Sequence, residues 1–395
     1  MGVSIPNPAL IFVHSESKPA ILQLFDHFKK VEENSIILLE QANKTDSILQ
    51  ERLAAGLSTA IDITLLNQSE RVELMKLAKA FHVACIVLIL STENEVSIEV
   101  QKLSKIYKKE GFKDIYIINN TALDFSSIVV AANMSDLKEE RGPFDIIGDV
   151  HGCYEELLAL LAKLKYTINI VSEDLETSKI LVSHPQNRKV IFVGDLVDKG
   201  PNTPAVLNLV MQMVQQDIAF CVQGNHEAKL IKKLKGKDVT LRHGLEKSVE
   251  QLKTCSTKYI ASLITFMYNL PHHLIFDQGK LIIAHAGIKE KMQGRDSGTV
   301  RAFTLYGETT GKLDADGLPE RKNWSLQYRG QALVVHGHVP IVESKWVNRV
   351  LDIDTGCVYG GHLTALRYPS LELVDVPAKE AYATPKSKGN PFVVR

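Results

Sequence analysis

Oxygen and nitrogen donors recur beside glycine in five short segments of the sequence. The segments are Gly148–Gly152 (GDVHG), Gly194–Pro201 (GDLVDKGP), Gly224–Glu227 (GNHE), Ala284–Gly287 (AHAG) and His336–His338 (HGH). A lone G-D-x-H-G turn is typically a loop with a capping aspartate, but the five together, in this order, indicate a metal centre. A two-metal hydrolytic centre needs roughly six donors and one bridging carboxylate. Asp, His and Asn suit manganese, iron or zinc better than magnesium alone.

Short apolar runs precede these segments and are predicted to be strands. The runs are 144–147, 189–193, 218–222, 281–284, 332–335 and 350–353. Five of these six runs lead directly into a polar, often glycine-containing turn. Functional side chains of α/β proteins gather at such strand ends. The predicted strands therefore place the donors where active sites form.

The first 140 residues alternate β-rich runs with amphipathic stretches. The runs are 9–13, 35–39, 60–64, 84–89 and 114–118, and the amphipathic stretches include 19–30 and 70–81. Strands separated by helices of this length indicate βαβ units and a parallel sheet. We expect two α/β domains, at 1–140 and 144–377, with a linker within 119–143 and a loosely held tail at 378–395.

Composition narrows the class of protein. The 395 residues carry 46 basic and 46 acidic side chains, so no excess of charge indicates avid binding to nucleic acid or a membrane surface. Five widely spaced cysteines without a C-x-x-C pair argue against a disulfide framework or a cysteine zinc site. We see no signal peptide and no apolar run of ~20 residues. A soluble, cytoplasmic protein is expected.

The donor segments resemble those of the calcineurin-like metallophosphoesterases, in the branch related to Ser/Thr protein phosphatases and diadenosine tetraphosphatases. More narrowly, the chain is similar to the phosphatase domain of bacterial polynucleotide kinase-phosphatases, which are RNA-repair enzymes. That likeness lies in PAVLNLVMQMV, GNHEAKLIKKLKGKDVTLRHGL, AHAGIKEKMQG, LYGETTGKLDADGLPERKNW and WVNRVLDIDTGCVYGGHLTALRYP. The resemblance spans residues 144–377 and implies a β-sandwich flanked by helices.

The resemblance also implies roles for individual residues. Two divalent ions, manganese first and nickel, iron or zinc as alternatives, would be held by Asp149, His151, Asp195 (bridging), Asn225, His285 and His338. His226 would be the general acid, oriented by Asp198, and Asp354 would support the site. The family usually has arginine where this chain has Lys199. Lysine keeps the charge of that phosphate clamp but loses its bidentate geometry.

Polynucleotide kinase-phosphatases carry a P-loop kinase domain before the phosphatase, and the order of segments in residues 1–140 is similar. The first predicted strand, however, runs into VHSESKP at 13–19, where G-x-x-x-x-G-K-S/T is expected, and no glycine occurs between Gly2 and Gly56. A phosphate loop needs glycine-permitted N–H groups and a hydroxyl for magnesium. Glu16 adds negative charge and Pro19 removes a donor. We expect a kinase-like domain without kinase activity.

The predicted activity is hydrolysis of phosphomonoesters and of 2′,3′-cyclic phosphates, with a phosphorylated nucleotide or an RNA end as substrate. Dinucleoside polyphosphates and phosphoproteins are alternative substrates, because fold and metals do not determine the substrate. A protein that mainly binds or regulates, through the degenerate kinase-like domain, is a further alternative. The basic stretch 229–237 with Arg242 is either a solvated helix face or a contact for a phosphate backbone.

Overall fold

The structure is a computed structural model that describes residues 3–31, 36–39, 43, 45–92, 96–119, 125–131, 133–172, 174–313, 319–385 and 391–392. The chain forms two compact units, Met1–Asn133 with Gly294–Val300 and Met134–Gln293 with Arg301–Arg395. The first unit ends earlier than the sequence predicts, because a strand at Asp136–Leu137 pairs within a sheet of the second unit.

A five-stranded parallel sheet forms the centre of the N-terminal unit. The elements of this unit are β1 (Val3–Ile5), β2 (Ala9–His14), α1 (Lys18–Val31), β3 (Ile37–Leu39), α2 (Ser47–Ala55), β4 (Thr59–Asp62), α3 (Gln68–Ala80), β5 (Ala84–Ser91), α4 (Ile98–Glu110), β6 (Asp114–Asn119) and β7 (Ile128–Val130). The strand order is β3-β4-β2-β5-β6, and β1 pairs separately with β7. All of these pairings are parallel, so the predicted parallel α/β arrangement is confirmed.

Both faces of this sheet are covered, which explains the unbroken apolar runs in its central strands. Leu10 and Phe12 of β2 pack with α2, α3 and α4 on one face, whereas Ile11 and Val13 pack with α1 on the other. Successive side chains of a strand point to opposite faces, so a strand covered on both sides needs apolar residues throughout. Each fully buried side chain of this size contributes about 1.5–3 kcal/mol.

The turn between β2 and α1 contains only Ser15, Glu16 and Ser17. The Ser15 N–H donates to the Thr64 hydroxyl (3.2 Å), and the Tyr107 hydroxyl lies 2.8 Å from His14 Nδ1. A G-x-x-x-x-G-K-S/T loop surrounds phosphates with successive N–H groups, and this turn is too short to do so.

Two large sheets, two two-stranded sheets and several helices make up the C-terminal unit. The strands are β8 (Asp136–Leu137), β9 (Phe144–Ile147), β10 (Thr167–Ile170), β11 (Ile180–Ser183), β12 (Lys189–Phe192), β13 (Ala219–Cys221), β14 (His273–Phe276), β15 (Leu281–Ala284), β16 (Thr309–Leu313), β17 (Pro319–Arg321), β18 (Leu333–His336), β19 (Trp346–Val347), β20 (Val350–Asp352), β21 (His362–Tyr368) and β22 (Glu372–Pro377). The α-helices are α5 (Tyr154–Lys163), α6 (Thr203–Gln215), α7 (Asn225–Leu234), α8 (Leu245–Leu252), α9 (Thr257–Tyr268) and α10 (Gly298–Tyr306), of which α10 has its first three residues in the N-terminal unit. Short 3-10 helices lie at Asp277–Gly279, Glu290–Met292 and Trp324–Gln327. Among the helices of the described residues, none is long and apolar enough to cross a bilayer.

The two large sheets of this unit pack face to face. One has the order β13-β12-β9-β21-β22 and the other β19-β20-β18-β15-β14-β8. Phe144, Val193, Phe276, Val335 and Leu366 belong to the buried cluster between them. Helices α5 to α9 cover the outer face of the first sheet. This is the helix-flanked sandwich that the sequence predicts.

Strand ends of both sheets position the predicted site residues. β9, β12 and β13 are parallel neighbours in one sheet, and β15, β18 and β20 are parallel neighbours in the other. Carboxyl ends of parallel strands lie at one edge of a sheet. The donor segments and Asp354 follow these ends, so the topology brings together residues that are far apart in the chain.

The segment after Pro377 is hydrogen-bonded to the unit as far as Ala383, whereas the sequence predicts a loosely held tail. Ala378 N–H donates to the Gly361 carbonyl (2.8 Å), and Ala383 N–H donates to the Val358 carbonyl (3.0 Å). Lys379 N–H donates to the Glu156 carboxylate (2.9 Å). Residues 386–390 and 393–395 of the predicted tail lie outside the described residues.

Candidate metal centre

The G-D-V-H-G turn connects β9 to α5 and is held by backbone contacts. A Cβ atom at Gly148 would collide with the Ile353 carbonyl oxygen, so only glycine fits there. His151 adopts a left-handed conformation with φ 46°. Its N–H donates to the Asp195 carbonyl (2.8 Å). This main-chain hydrogen bond connects the first donor segment to the second.

The buried Glu227 carboxylate organises the second donor segment. It accepts hydrogen bonds from the N–H groups of Asp195 (2.9 Å), Leu196 (2.8 Å) and Gly224 (2.8 Å). Burial raises the pKa of Glu227 to about 7, and the nearby Asp195 carboxylate acts in the same direction. Sequence analysis did not assign this residue a role. The signal was its position three residues after Gly224, at capping-box spacing.

His151 and Asp195 lie on one side of the site, and the Asp149 carboxylate contacts the backbone of His338. The His151 Nδ1–H donates to the Val197 carbonyl (2.8 Å), so the lone pair is on Nε2, which lies 3.6 Å from Asp195 Oδ2. The His338 N–H donates to Asp149 Oδ2 (3.1 Å) and orients that carboxylate. These contacts fix the tautomer and orientation of potential ligands, as carbonyl and amide partners do around bound metals.

His285, Asn225, His338 and Asp195 converge on the other side. The His285 Nδ1–H donates to the Val193 carbonyl (3.1 Å). His285 Nε2 then faces Asn225 Oδ1 at 2.9 Å, His338 Nδ1 at 3.0 Å and Asp195 Oδ1 at 3.3 Å. These four atoms all carry lone pairs, which repel one another at such distances. Either a second proton on the His285 imidazole or a cation between the four atoms removes this repulsion. Ligands ~2.1 Å from one ion have separations of this size.

Asp195 belongs to both groups of donors. Its Oδ2 faces His151 and its Oδ1 faces His285. In the described residues, two clusters of potential metal ligands share this carboxylate, one with His151 and His226 and the other with His285 and His338. A carboxylate with one oxygen toward each cluster can bridge two cations.

Electrostatics also favour cations in this site. Burial, together with the Asp354 and Asp195 carboxylates, raises the pKa of Asp149 well above its usual range. Burial also lowers the pKa values of His151 and His338 well below the ordinary value, so both imidazoles are neutral. The buried His338 Nε2 has no hydrogen-bond partner in the described part of the chain. Crowded carboxylates with neutral imidazoles fit divalent ions.

His226 and Asp198 form a buried pair next to these donors. His226 Nδ1 lies 2.6 Å from Asp198 Oδ2, and His226 Nε2 lies 3.9 Å from Asp195 Oδ2. The ring also packs edge-to-face on His151, with 4.8 Å between centroids. The carboxylate orients the imidazole so that Nε2 faces the site, as a proton donor requires.

Lys199, the residue predicted to bind the substrate phosphate, contacts one of the predicted metal ligands. Its Nζ is 2.8 Å from His151 Nε2 and 5.3 Å from the centre of the Tyr359 ring. Asp354, by contrast, is buried with its Oδ1 accepting from the Gly356 N–H (3.1 Å). Burial raises the pKa of Asp354 to about 6, although the Lys199 ammonium opposes this. The structure thus brings Lys199 within hydrogen-bond distance of a predicted ligand, and the Asp354 carboxylate acts on Asp149 electrostatically.

A cavity of about 390 Å³ opens beside the donors. His338 forms part of its wall, and Arg321, Lys322, Trp324 and Lys345 also line it. Burial lowers the pKa of Arg321, whereas the Asp195 carboxylate acts in the opposite direction. Sequence analysis missed these cations, because they are far in sequence from the donor segments.

Known proteins match the same part of the chain. The calcineurin-like phosphoesterase family matches residues 142–373, more than half of the chain. A bis(5′-nucleosyl)-tetraphosphatase PrpE (asymmetrical) of Anoxybacillus flavithermus is 44% identical over 247 residues, 62% of this chain and 97% of that protein. The protein of that name in Halalkalibacterium halodurans is 40% identical over 252 residues, 63% of this chain and 99% of that protein. A solved serine/threonine phosphatase of Saccharomyces cerevisiae is 14% identical, covers 66% of this chain and 87% of its own, and has a TM-score of 0.42.

These relatives are named tetraphosphatases and not polynucleotide kinase-phosphatases. The family match begins at residue 142, so the kinase-like character of the N-terminal unit stays a prediction. The matched residues include the whole donor arrangement and most of the sandwich. The protein therefore belongs to the calcineurin-like phosphoesterase family and is a metal-dependent hydrolase of phosphoric esters.

Proposed function

We propose that this protein hydrolyses dinucleoside polyphosphates and cleaves bis(5′-nucleosyl) tetraphosphates asymmetrically. The observation that carries this proposal is 40% and 44% identity to proteins named for that activity over 99% and 97% of their length. Cyclic phosphates and RNA ends, which the sequence analysis favours, lack comparable support. The proposed substrate is therefore the dinucleoside polyphosphate that the sequence analysis gives as an alternative.

The donor set supports two divalent ions, with manganese as the first choice. Asp149, His151, Asp195, Asn225, His285 and His338 would hold them. Carboxylate, imidazole and amide groups suit manganese, iron or zinc. When bound, the two ions neutralise negative charge on the phosphoryl oxygens.

His226 supplies a proton to the leaving group in this proposal. Hydrolysis forms a bond from a water oxygen to phosphorus, with release of one proton from that water to solvent, and breaks the bond from phosphorus to the bridging oxygen. The leaving phosphate oxygen then takes the proton from His226 Nε2. Asp198, 2.6 Å from His226 Nδ1, stabilises the charged imidazolium before the transfer.

The guanidinium of Arg321 in the cavity favours a polyphosphate over a simple monoester. The wall of the cavity carries Arg321, Lys322 and Lys345, and also Glu308, Glu343 and Asp352. Lys322 pairs with Glu308 (3.7 Å) and Lys345 with Glu343 (3.0 Å), whereas Arg321 forms no ion pair among the described residues. A tetraphosphate has several negative charges outside the phosphate that reacts, and these need cationic partners. The cavity would bind that remaining part of the substrate.

Side-by-side assays of the full chain test the proposal. Protein stripped with a chelator and reloaded with manganese is given diadenosine tetraphosphate, adenosine 2′,3′-cyclic phosphate, p-nitrophenyl phosphate and a phosphopeptide. We expect kcat/KM for diadenosine tetraphosphate to be at least about tenfold above the others. The products should be AMP and ATP, because the cleavage is asymmetrical. A preference for the cyclic phosphate, or two molecules of ADP as product, contradicts the proposal.

A substitution of the bridging carboxylate tests the metal requirement separately. Asp195→Asn should lower kcat by about 1000-fold or more, because a neutral amide oxygen binds two cations poorly. Asp217→Asn, at a side chain that is 75% exposed, is the matched control. Full activity in chelator, or in Asp195→Asn, would show that these residues do not hold catalytic ions.

A further inference from the structure

Two cysteines that are far apart in the sequence meet beside the catalytic turns. Cys153 is the N-cap of α5, directly after the G-D-V-H-G turn, and Cys357 follows the D-I-D-T-G segment after β20. Glu156 lies in the first turn of α5, three residues after Cys153. Residues at this spacing lie on the same face of a helix. The two Sγ atoms and a carboxylate oxygen of Glu156 all lie within 4.8 Å of one another.

This Cys153–Glu156–Cys357 cluster is completely buried. The exposed fractions of the three residues are 0%, 1% and 2%. Glu156 Oε1 accepts from the Lys379 N–H (2.9 Å) and the Tyr382 hydroxyl (2.7 Å). Glu156 Oε2 is buried and has no hydrogen-bond partner among the described residues. A buried carboxylate oxygen without a partner is costly, so its persistence beside two thiols indicates a missing ligand.

The side chain of Lys379 does not neutralise this carboxylate. Lys379 Nζ pairs with Glu155 at 3.5 Å, and only its backbone N–H contacts Glu156. Within the described ranges, no Lys or Arg side chain forms an ion pair with Glu156. A cation bound at Oε2 would supply both the missing partner and the missing charge.

We propose that the Cys153–Glu156–Cys357 cluster is a third metal site, which takes a thiophilic divalent cation such as Zn²⁺. Two thiols and one carboxylate are the donors that such an ion prefers, and a tetrahedral ion has one position left for a further donor. On binding, each thiol loses its proton, so two protons are released and the occupied cluster has one net negative charge. No redox step is involved.

Occupancy of this site would connect two turns that carry predicted catalytic residues. Cys153 is two residues after His151, and Cys357 is three residues after Asp354. A bound ion would therefore position the G-D-V-H-G and D-I-D-T-G segments against each other. This role does not depend on the proposed substrate, and the sulfur donors distinguish the site from the oxygen and nitrogen donors of the catalytic centre.

Residues 378–383 lie against the cluster. Lys379 and Tyr382 hydrogen-bond to Glu156, and Ala383 N–H donates to the Val358 carbonyl (3.0 Å). Because this segment closes over the cluster, an ion must bind during folding or when the segment opens. We therefore expect slow exchange of the third ion compared with the catalytic ions.

Cobalt spectroscopy on the full chain tests the proposal. Metal-free protein, reduced and kept without oxygen, is unfolded and refolded with Co²⁺. The wild type should show a thiolate-to-cobalt charge-transfer band equivalent to one ion, which the catalytic centre cannot produce because it has no sulfur donor. Cys153→Ser and Cys357→Ser should each lose this band and one equivalent of metal by mass spectrometry. Glu156→Gln should lower the affinity for the third ion at least tenfold.

Controls keep the test decisive. Cys221→Ser removes another buried cysteine and should keep the band and all metal equivalents. Circular dichroism confirms that each variant has folded, and Glu156→Gln provides a second variant if a serine variant does not. Absence of the band in the reduced wild type, or its survival in Cys153→Ser, overturns the proposal. A Cys153–Cys357 disulfide in the purified protein, without bound metal, also overturns it.

Discussion

The ammonium group of Lys199 competes with a cation for the same lone pair. Its Nζ lies 2.8 Å from His151 Nε2, the nitrogen that faces Asp195. Burial lowers the pKa of Lys199, but the nearby Tyr359 hydroxyl and the negative charge of Asp195 raise it by more, and the net pKa lies above its ordinary value. The side chain therefore stays charged. A nitrogen lone pair binds one partner at a time. When an ion is bound to His151, the ammonium must therefore turn to another acceptor, and a substrate phosphate is one.

Substitution of Lys199 in both directions tests this role. Lys199→Arg should raise kcat/KM for a phosphomonoester by up to about tenfold, because the guanidinium fork binds phosphate at two points. Lys199→Ala should lose more than about tenfold, which is more than ~1.4 kcal/mol. Steady-state kinetics and metal analysis measure both effects, with the exposed Lys258→Ala as control.

Lys199→Ala could lose activity because a phosphate contact is lost or because metal is lost, and the metal content distinguishes the two. An unchanged metal content with lower activity means that the ammonium acts on the phosphate. If neither Lys199 variant changes the kinetics, the side chain does not contact the phosphate, and its role as a clamp is wrong.

At the scale of elements, a single side chain of α7 holds the turn after β12. Glu227 is fully buried and accepts from four N–H groups of two segments. Asp195, Asp198 and Lys199 in that turn all have positive φ, between 49° and 74°. Each such conformation costs of order 1–3 kcal/mol and persists only when its surroundings hold it.

Glu227→Gln should therefore destabilise the protein without removing a predicted ligand. The amide has one acceptor oxygen in place of two, so buried N–H groups lose charge-assisted bonds worth about 1.5–3 kcal/mol. We expect the Tm to fall by roughly 5 °C or more, and manganese binding to weaken because Asp195 is less well oriented. Thermal unfolding measures this, with the exposed Glu246→Gln as control. An unchanged Tm would contradict the role that we assign to Glu227.

The turn between β2 and α1 leads to a prediction for the N-terminal unit. Three residues separate His14 from Lys18, and none of them is glycine. We expect no transfer of the γ-phosphate of ATP to 5′-hydroxyl RNA or DNA, because no loop surrounds the phosphates. Radiolabel transfer to an oligonucleotide measures this. Transfer that disappears in Lys18→Ala would show a working kinase site.

At the scale of the whole molecule, a buried histidine makes stability depend on pH. His273 of β14 is 1% exposed, and burial lowers its pKa to about 4. Between that value and its ordinary pKa of ~6.5, the unfolded chain binds a proton that the folded chain does not. The free energy of unfolding should therefore fall as the pH drops through this window.

The expected size of this effect is about 1.4 kcal/mol per pH unit, or ~2 kcal/mol from pH ~6.5 to pH ~5. His273→Leu should remove this part of the slope, which urea unfolding of metal-free protein at several pH values can measure. His362→Leu, at a histidine that is 48% exposed, should keep the slope. Equal slopes in wild type and His273→Leu would show that His273 titrates normally.

The sequence alone was sufficient for the fold class and for the donor segments. Continuous apolar runs predict strands covered on both faces, and β2 and β5 are such strands. Donor residues next to glycine after each run predict a metal site at strand ends, because a tight glycine turn lets several donor side chains point toward one ion. These signals are local. The strands and the donor segments could therefore be predicted without knowing how far apart the segments are in the chain or how they are arranged in space.

Only the tertiary structure decided which distant residues act together. About 200 residues separate Cys153 from Cys357, and the sequence spacing argued against a cysteine metal site. The direction of Lys199, the four bonds to Glu227 and the position of Arg321 beside the donors were equally absent from any local pattern. Each depends on how the two sheets pack and bring six strand ends together. The physical reason is that side-chain contacts depend on packing in three dimensions, whereas a sequence motif records only neighbours along the chain.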